Sequence, residues 1–172
     1  IGAITLTGAG RAFCAGGDIG EMIQSDHTAA SATAHMENYR LLTEDLMALD
    51  KPIIAAVNGV AAGGGFSLAL LCDLIVLSDQ AYFRSAFRKI GLIPDLGIIP
   101  TLTRIVGPYR AKEIFFTDRV IAPDECLRIG LANKVVPHAE LIQATTEIAE
   151  DIASGPRFML QSTKRLVSQS MD

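Results

Sequence analysis

Apolar and polar positions fall in blocks along the chain, and the period of the blocks changes from strand-like to helical. Ile1-Gly2-Ala3-Ile4-Thr5-Leu6-Thr7 reads as a β-strand, and a glycine-rich loop follows from Gly8 to Asp18. From Ala29 to Leu49 the residues Met36, Tyr39, Leu42, Leu46 and Leu49 recur at helical spacing, which predicts a helix with one apolar face. Lys51-Pro52 ends it, because the residue before a proline is pushed out of the helical region. Ile53-Ile54-Ala55-Ala56-Val57 has no polar position, the pattern of a strand buried on both faces. Asn58-Gly59 turns the chain, Gly63-Gly64-Gly65 opens a helix through Leu71, and Leu74-Ile75-Val76-Leu77 reads as the next strand. Beyond the Gly- and Pro-rich stretch from Gly91 to Gly97, helices are predicted over 101–106, 109–116, 123–129 and 138–153. Pro123 suits a first-turn position, and Asp124-Glu125 suit a helix N-terminus. Strands alternating with helices point to an α/β architecture with right-handed crossovers.

Composition narrows the class. A chain of 172 residues is one domain's worth, at roughly 150 residues per domain, and no linker divides it. Hydrophobic residues make up 49% and charged residues 20%, which excludes a disordered chain. The net charge of −4 argues against binding nucleic acid. The longest apolar run, Gly59 to Leu71, is broken by glycines and is followed by Asp73. It falls short of the roughly 18–20 residues of a membrane span, so no membrane partner is expected. Cys14, Cys72 and Cys126 match no zinc spacing, and no H-E-x-x-H occurs, so no metal site is expected. Reduced thiols are the simple reading of the three cysteines, no signal-peptide pattern is visible, and a cytoplasmic protein is the expectation.

Four features carry candidate chemistry. Gly8-Ala9-Gly10-Arg11-Ala12-Phe13 begins like a dinucleotide fingerprint, but Phe13 stands where close packing wants the third glycine. A plain turn and a loop holding backbone amides open for a ligand remain the two readings there. Ser67 resembles a nucleophile-elbow serine, yet it lies inside the helix rather than at the strand-to-helix turn; a small residue in a packed face or pocket wall is the simpler reading. Gly63-Gly64-Gly65 stands at a helix start, where unpaired N–H groups and the dipole favour an anionic oxygen. One glycine would serve helix–strand packing; three point to an oxyanion site. Asp95, in Leu92-Ile93-Pro94-Asp95-Leu96-Gly97, is a carboxylate among apolar neighbours, which penalise its charged form and suit it to moving protons near neutral pH. A turn aspartate after proline is the ordinary alternative. Arg84, Arg88 and Lys89 could meet an anionic substrate tail or form a solvated face.

Together these segments resemble the crotonase (enoyl-CoA hydratase/isomerase) superfamily. The resemblance is carried by Gly10 to Ile19, by Lys51 to Gly65, by Leu70-Leu71-Cys72-Asp73 and by Gly130 to Val136. It covers nearly the whole chain in order. It implies a ClpP/crotonase-like spiral of repeated ββα units, as a single domain over 1–172 that lacks the family's N-terminal strands and C-terminal helices. It further implies a homotrimer or dimer of trimers, and an acyl-CoA thioester as substrate.

By the same resemblance, the two oxyanion amides map onto Gly17 and Gly64. Backbone around Ala15, Gly16, Asp18 and Ile19 would meet coenzyme A. Val60, Gly63, Ser67, Phe87 and Leu92 would complete the substrate site. Hydratases of the family use two glutamates, and Ser67 and Phe87 stand at their positions. The stretch Ala86 to Asp95 looks instead like the phenylacetate-pathway isomerases of the family, in which an acid at the Asp95 position moves protons. Where the family often has Gly-Gly-Thr, Gly97 is followed by Ile98-Ile99-Pro100. The resemblance therefore implies an enoyl-CoA isomerase with no cofactor beyond the coenzyme A of its substrate. A hydratase-like enzyme and a non-catalytic acyl-CoA-binding homologue are the alternatives.

Overall fold

The computed structural model describes residues 1–20 and 28–170. Along them the chain repeats one unit of two short strands followed by helical structure. β1 (Ile4–Thr7) and β2 (Ala12–Cys14) precede α1 (Ala29–Ala48). β3 (Ile53–Val57) and β4 (Val60–Ala62) precede α2 (Gly64–Leu70). β5 (Leu74–Ser78) and β6 (Tyr82–Arg84) precede α3 (Phe87–Ile90), α4 (Ile98–Val106) and α5 (Pro108–Thr117). The chain then runs through β7 (Val120–Ile121), α6 (Pro123–Arg128), β8 (Lys134–Val136), a 3-10 turn over His138–Glu140, α7 (Leu141–Ser154) and α8 (Arg157–Gln169).

The two strands of each unit enter different sheets. One sheet has the order β1-β3-β5-β8 and is parallel throughout; the other has the order β2-β4-β6-β7. In the second, β2, β4 and β6 are parallel and β7 runs antiparallel to β6. The chain thus winds as a spiral of ββα turns, an α/β fold.

β3 shows why its sequence is wholly apolar. Ile54 and Ala56 face Leu141 and Ala144 of α7, while Ala55 and Val57 belong to the larger core with Phe66 and Phe83. Those two rings stack with centroids 4.6 Å apart. No position of the strand meets water, so a polar side chain anywhere on it would be buried without its solvent.

The second-sheet strands β2, β4 and β6 escape a periodicity reading because each has only three residues. α4 begins at Ile98 rather than Thr101, since Pro100 falls in the first helical turn, where no backbone N–H is required. α8 lays Met159, Leu160 and Val167 along its inner side together with one charged residue. Lys164 is 9% exposed, pairs with Asp73 at 2.8 Å and donates to the Lys51 carbonyl at 3.1 Å. Asp73 in turn accepts the Ile53 N–H at 2.7 Å, so the start of β3, the end of α2 and α8 are tied at one carboxylate. Among the described residues, no helix is long and apolar enough to cross a membrane.

Candidate active site

The site begins with the clasp that holds its first loop. Asn58, in the turn between β3 and β4, accepts the Gly8 N–H at 3.0 Å and donates to the Gly10 carbonyl at 2.9 Å. β2 is thereby laid beside β4, with Ala12 opposite Val60. The segments that leave these strands, Ala15 to Gly17 and Gly63 to Gly65, lie against each other. Gly16 has φ 94, and a Cβ there would stand 2.9 Å from the Ala62 carbonyl and 3.3 Å from the Gly64 nitrogen.

The three consecutive glycines do three different things. Gly63 precedes α2 at φ 54, a left-handed conformation, and donates its N–H to the Arg84 carbonyl at 3.1 Å. Gly65 is packed against β2: a Cβ would fall 2.0 Å from the Cys14 carbonyl oxygen. Gly64 has room, since the nearest atom to its Cβ position is Leu96 Cδ1 at 3.4 Å. As the first residue of α2 it has no acceptor for its N–H within the helix. Packing therefore explains one glycine of the three, and the middle one is left facing a cavity.

That cavity, of about 70 Å³, is where the predicted residues meet. Ala15, Gly16, Gly17 and Ile19 contribute from the first loop, and Gly63 and Gly64 from the second. Phe87, Leu92 and Asp95 close it, the first of these buried in the core at the start of α3. Asp95 is half-buried, with its Oδ1 shielded from solvent, and the next residue, Leu96, holds φ 51. Backbone amides at a helix start and a shielded carboxylate thus share one small, largely apolar space. Such a space can stabilise a developing oxyanion while a proton is moved.

Three of the predicted residues stand outside the lining. Ser67 is completely buried behind it, where its hydroxyl donates to the Asp95 carbonyl at 3.2 Å and contacts the Gly63 carbonyl at 3.4 Å. Asp18 accepts the Gly20 N–H at 2.7 Å through Oδ1. Val60 is half-buried in β4 between Ala12 and Tyr82. Three further residues line the cavity: Tyr39 of α1, Ala86 and Ile90. Tyr39 belongs to the apolar face read from the sequence. Ile90 follows Phe87 by one helical turn, and Ala86 carries no sequence signal. Of the basic cluster, Arg84 turns inward to the buried Asp118 at 3.0 Å rather than outward to a substrate tail.

A larger cavity of about 520 Å³ lies between α4 and α8. It contains none of the residues above. Its polar lining includes Arg104 and the Lys164–Asp73 pair that ties α8 to the end of α2.

Comparison with known proteins bears on this geometry. A family model described as enoyl-CoA hydratase/isomerase matches residues 1–172. A short-chain-enoyl-CoA hydratase of Clostridium acetobutylicum is 39% identical over 170 residues, covering 98% of this chain and 64% of the relative. Among solved structures, an enoyl-CoA hydratase from Bacillus anthracis superposes with a TM-score of 0.91 at 35% identity, covering 97% of this chain and 64% of that one. A monofunctional enoyl-CoA isomerase from M. smegmatis superposes with a TM-score of 0.81 at 34% identity, covering 99% and 71%. The chain spans 58–64% of the length of the curated relatives it matches.

Proposed function

The chain belongs to the enoyl-CoA hydratase/isomerase family, and from that premise we propose that it is an acyl-CoA isomerase with Asp95 as its single proton carrier. The observation that supports this reading is the shared cavity of Gly17, Gly64 and Asp95. The thioester oxygen sits between the N–H groups of Gly17 and Gly64. Asp95 takes a proton from carbon: the C–H bond breaks, its electron pair enters the thioester as an enolate, and the carboxyl group holds the proton. The proton then returns to another carbon as the double bond shifts. Nothing is added or removed, so one carboxylate suffices. Losing one oxyanion donor typically costs about 10²–10³ in rate. Phe87 and Leu92 wall the acyl group and keep water from the enolate.

Ser67 and Phe87 offer no carboxylate at the two positions where the family's hydratases carry glutamates, and Ser67 is sealed from the cavity. Water addition needs an acid and a base about the double bond, which favours the isomerase. The names of the relatives favour a second reading, a hydratase-like enzyme, because the Clostridium protein bears that name. The generic substrate is an enoyl-CoA; rearrangement of a ring-epoxide of phenylacetyl-CoA is the specific version. The reading includes a homotrimer or dimer of trimers acting in the cytoplasm, with no cofactor beyond the substrate's coenzyme A.

Proton NMR with a 3-enoyl-CoA in heavy water tests it. Deuterium should enter the α or γ carbon, and Asp95→Asn should abolish this while acyl-CoA still binds. Incorporation of solvent oxygen as a 3-hydroxyacyl product would establish the hydratase instead. Binding without any exchange would leave an acyl-CoA-binding protein.

A further inference from the structure

Asp118 is a carboxylate that the proton transfer does not use, yet its side chain is only 3% exposed. It ends α5 in left-handed backbone, at φ 53. The antiparallel ladder puts it there. Arg84 of β6 faces Val120 of β7, and the same register carried two residues outward sets Ala86 opposite Asp118. Asp118 Oδ1 accepts the Ala86 N–H at 2.6 Å. Its Oδ2 accepts Arg84 Nη2 at 3.0 Å, and its own carbonyl accepts Arg84 Nε at 3.1 Å.

Ala86 is itself left-handed, at φ 63. Residues with a Cβ adopt this conformation rarely, and it persists where the surroundings impose it. Ala86 caps the start of α3, and Ala86, Phe87 and Ile90 all line the cavity. Arg88 of the same helix donates to the Thr117 carbonyl at 3.5 Å, a second tie between α3 and the end of α5.

We propose that Asp118 is a positioning residue: with Arg84 it holds Ala86 in its left-handed turn and so sets the wall of Phe87 and Ile90 against which the acyl group packs. The inference rests on the acyl-CoA reading above. Arg84 supplies the charge partner that a buried carboxylate needs. The ionised Oδ1 then makes a charge-assisted bond to the one amide whose orientation fixes the entry into α3.

Two substitutions in the full chain separate this role from plain stability. Asp118→Gly removes the carboxylate and suits φ 53, so no new strain arises at that position. Asp118→Asn keeps an oxygen for the Ala86 N–H. Binding of octanoyl-CoA and of free coenzyme A is measured by calorimetry, beside thermal unfolding and turnover of a 3-enoyl-CoA. For Asp118→Gly, octanoyl-CoA should bind about tenfold more weakly, a loss of the size that one poorly placed apolar contact produces. Turnover should fall by up to about 10²-fold, as for a wall shifted by an ångström. Free coenzyme A should bind unchanged, and Asp118→Asn should recover most of the octanoyl-CoA affinity. Should Asp118→Gly not fold, Arg84→Gln poses the same question from the other partner. A lowered Tm with unchanged octanoyl-CoA affinity overturns the proposal, as does an equal loss for octanoyl-CoA and coenzyme A. If the wild type binds octanoyl-CoA without turning over the 3-enoyl-CoA, the isomerase reading fails while the binding comparison still decides on Asp118. If the wild type does not bind octanoyl-CoA, both fall.

Discussion

The Ser67 hydroxyl donates to the backbone carbonyl of Asp95 at 3.2 Å, joining the helix that begins with the glycine triplet to the segment that carries the acid. The serine is completely buried, so its effect on Asp95 passes through backbone and not through substrate. The Asp95 carbonyl has a second donor, the Ile98 N–H at 3.1 Å. Ser67→Ala therefore removes one bond without orphaning the acceptor. Stability should fall by about 0.5–1.5 kcal/mol, the net worth of an ordinary hydrogen bond. Denaturant titration checks this. Kinetics should show kcat reduced with KM nearly unchanged, because the thioester still reaches both amides while the carboxylate loses its fixed distance from them. An unchanged kcat would mean that Ile98 alone fixes the segment.

Gly64 and Gly65 are neighbours with opposite expectations. A methyl at Gly65 would lie 2.0 Å from the Cys14 carbonyl, against backbone of β2 that cannot yield without opening the sheet. Gly65→Ala should lose at least the roughly 1–3 kcal/mol of an overpacked core, read as a lowered Tm or as insoluble protein. A methyl at Gly64 would touch Leu96 Cδ1 at 3.4 Å and the Gly16 Cα at 3.9 Å, both ordinary contacts. Gly64→Ala should fold with a nearly unchanged Tm and lose about 10²-fold in turnover, the size of one obstructed oxyanion donor. Equal destabilisation by the two substitutions would refute this division of labour.

How far this was legible in the sequence depends on how local each signal is. β3 was readable because both of its faces are buried, which leaves an unbroken apolar run. The three-residue strands of the second sheet were not, because such a length carries no period and pairing alone defines them. The glycine triplet and the acid in an apolar stretch pointed to two walls of one cavity, and the family resemblance joined them. The family resemblance sets Ser67 in the substrate site, whereas the reading from its own segment, a small residue in a packed face or pocket wall, agrees with its complete burial. Asp118 gave no signal at all. Its partners Ala86 and Arg84 are 32 and 34 residues away, and only the β6–β7 register brings them together.

Two of the three thiols should be silent. Burial pushes the thiols of Cys72 and Cys126 up to about 12, so neither offers appreciable thiolate at neutral pH. Cys126 is fully enclosed, and its thiol contacts the Ile121 carbonyl at 3.6 Å. Under native conditions at pH 8, a maleimide or iodoacetamide should leave both unmodified, as peptide mass spectrometry would show. Adding denaturant should expose both to rapid labelling. Native labelling of Cys126 at a rate matching the denatured protein would mean that α6 opens readily.

The ion pair at the start of α6 should make stability depend on pH in a defined window. Arg119 grips Glu125 through two nitrogens, at 2.7 and 2.8 Å. This hydrogen bonding, aided by the positive charge of Arg119, holds the Glu125 carboxyl below its ordinary value of 4.5 despite partial burial. Glu125 also lies in the first turn of α6, where the helix dipole favours an anion. A carboxylate whose folded pKa is depressed contributes its full stability above the ordinary value. It loses that contribution as pH falls through the lower folded value. At pH 7, Glu125→Gln should therefore be less stable than wild type by about 1 kcal/mol, the upper end for a partly exposed pair with two-point geometry. On titration from pH 7 towards pH 3 the wild type should lose stability faster than the variant, and the difference should close below the ordinary carboxylate range. The other acidic groups titrate in both proteins, so the difference between the two denaturation curves isolates Glu125. A gap that stays constant to pH 3 would assign the loss to packing. No gap at pH 7 would mean that Arg119, which also holds Glu113 at 2.8 Å, is anchored equally well without Glu125.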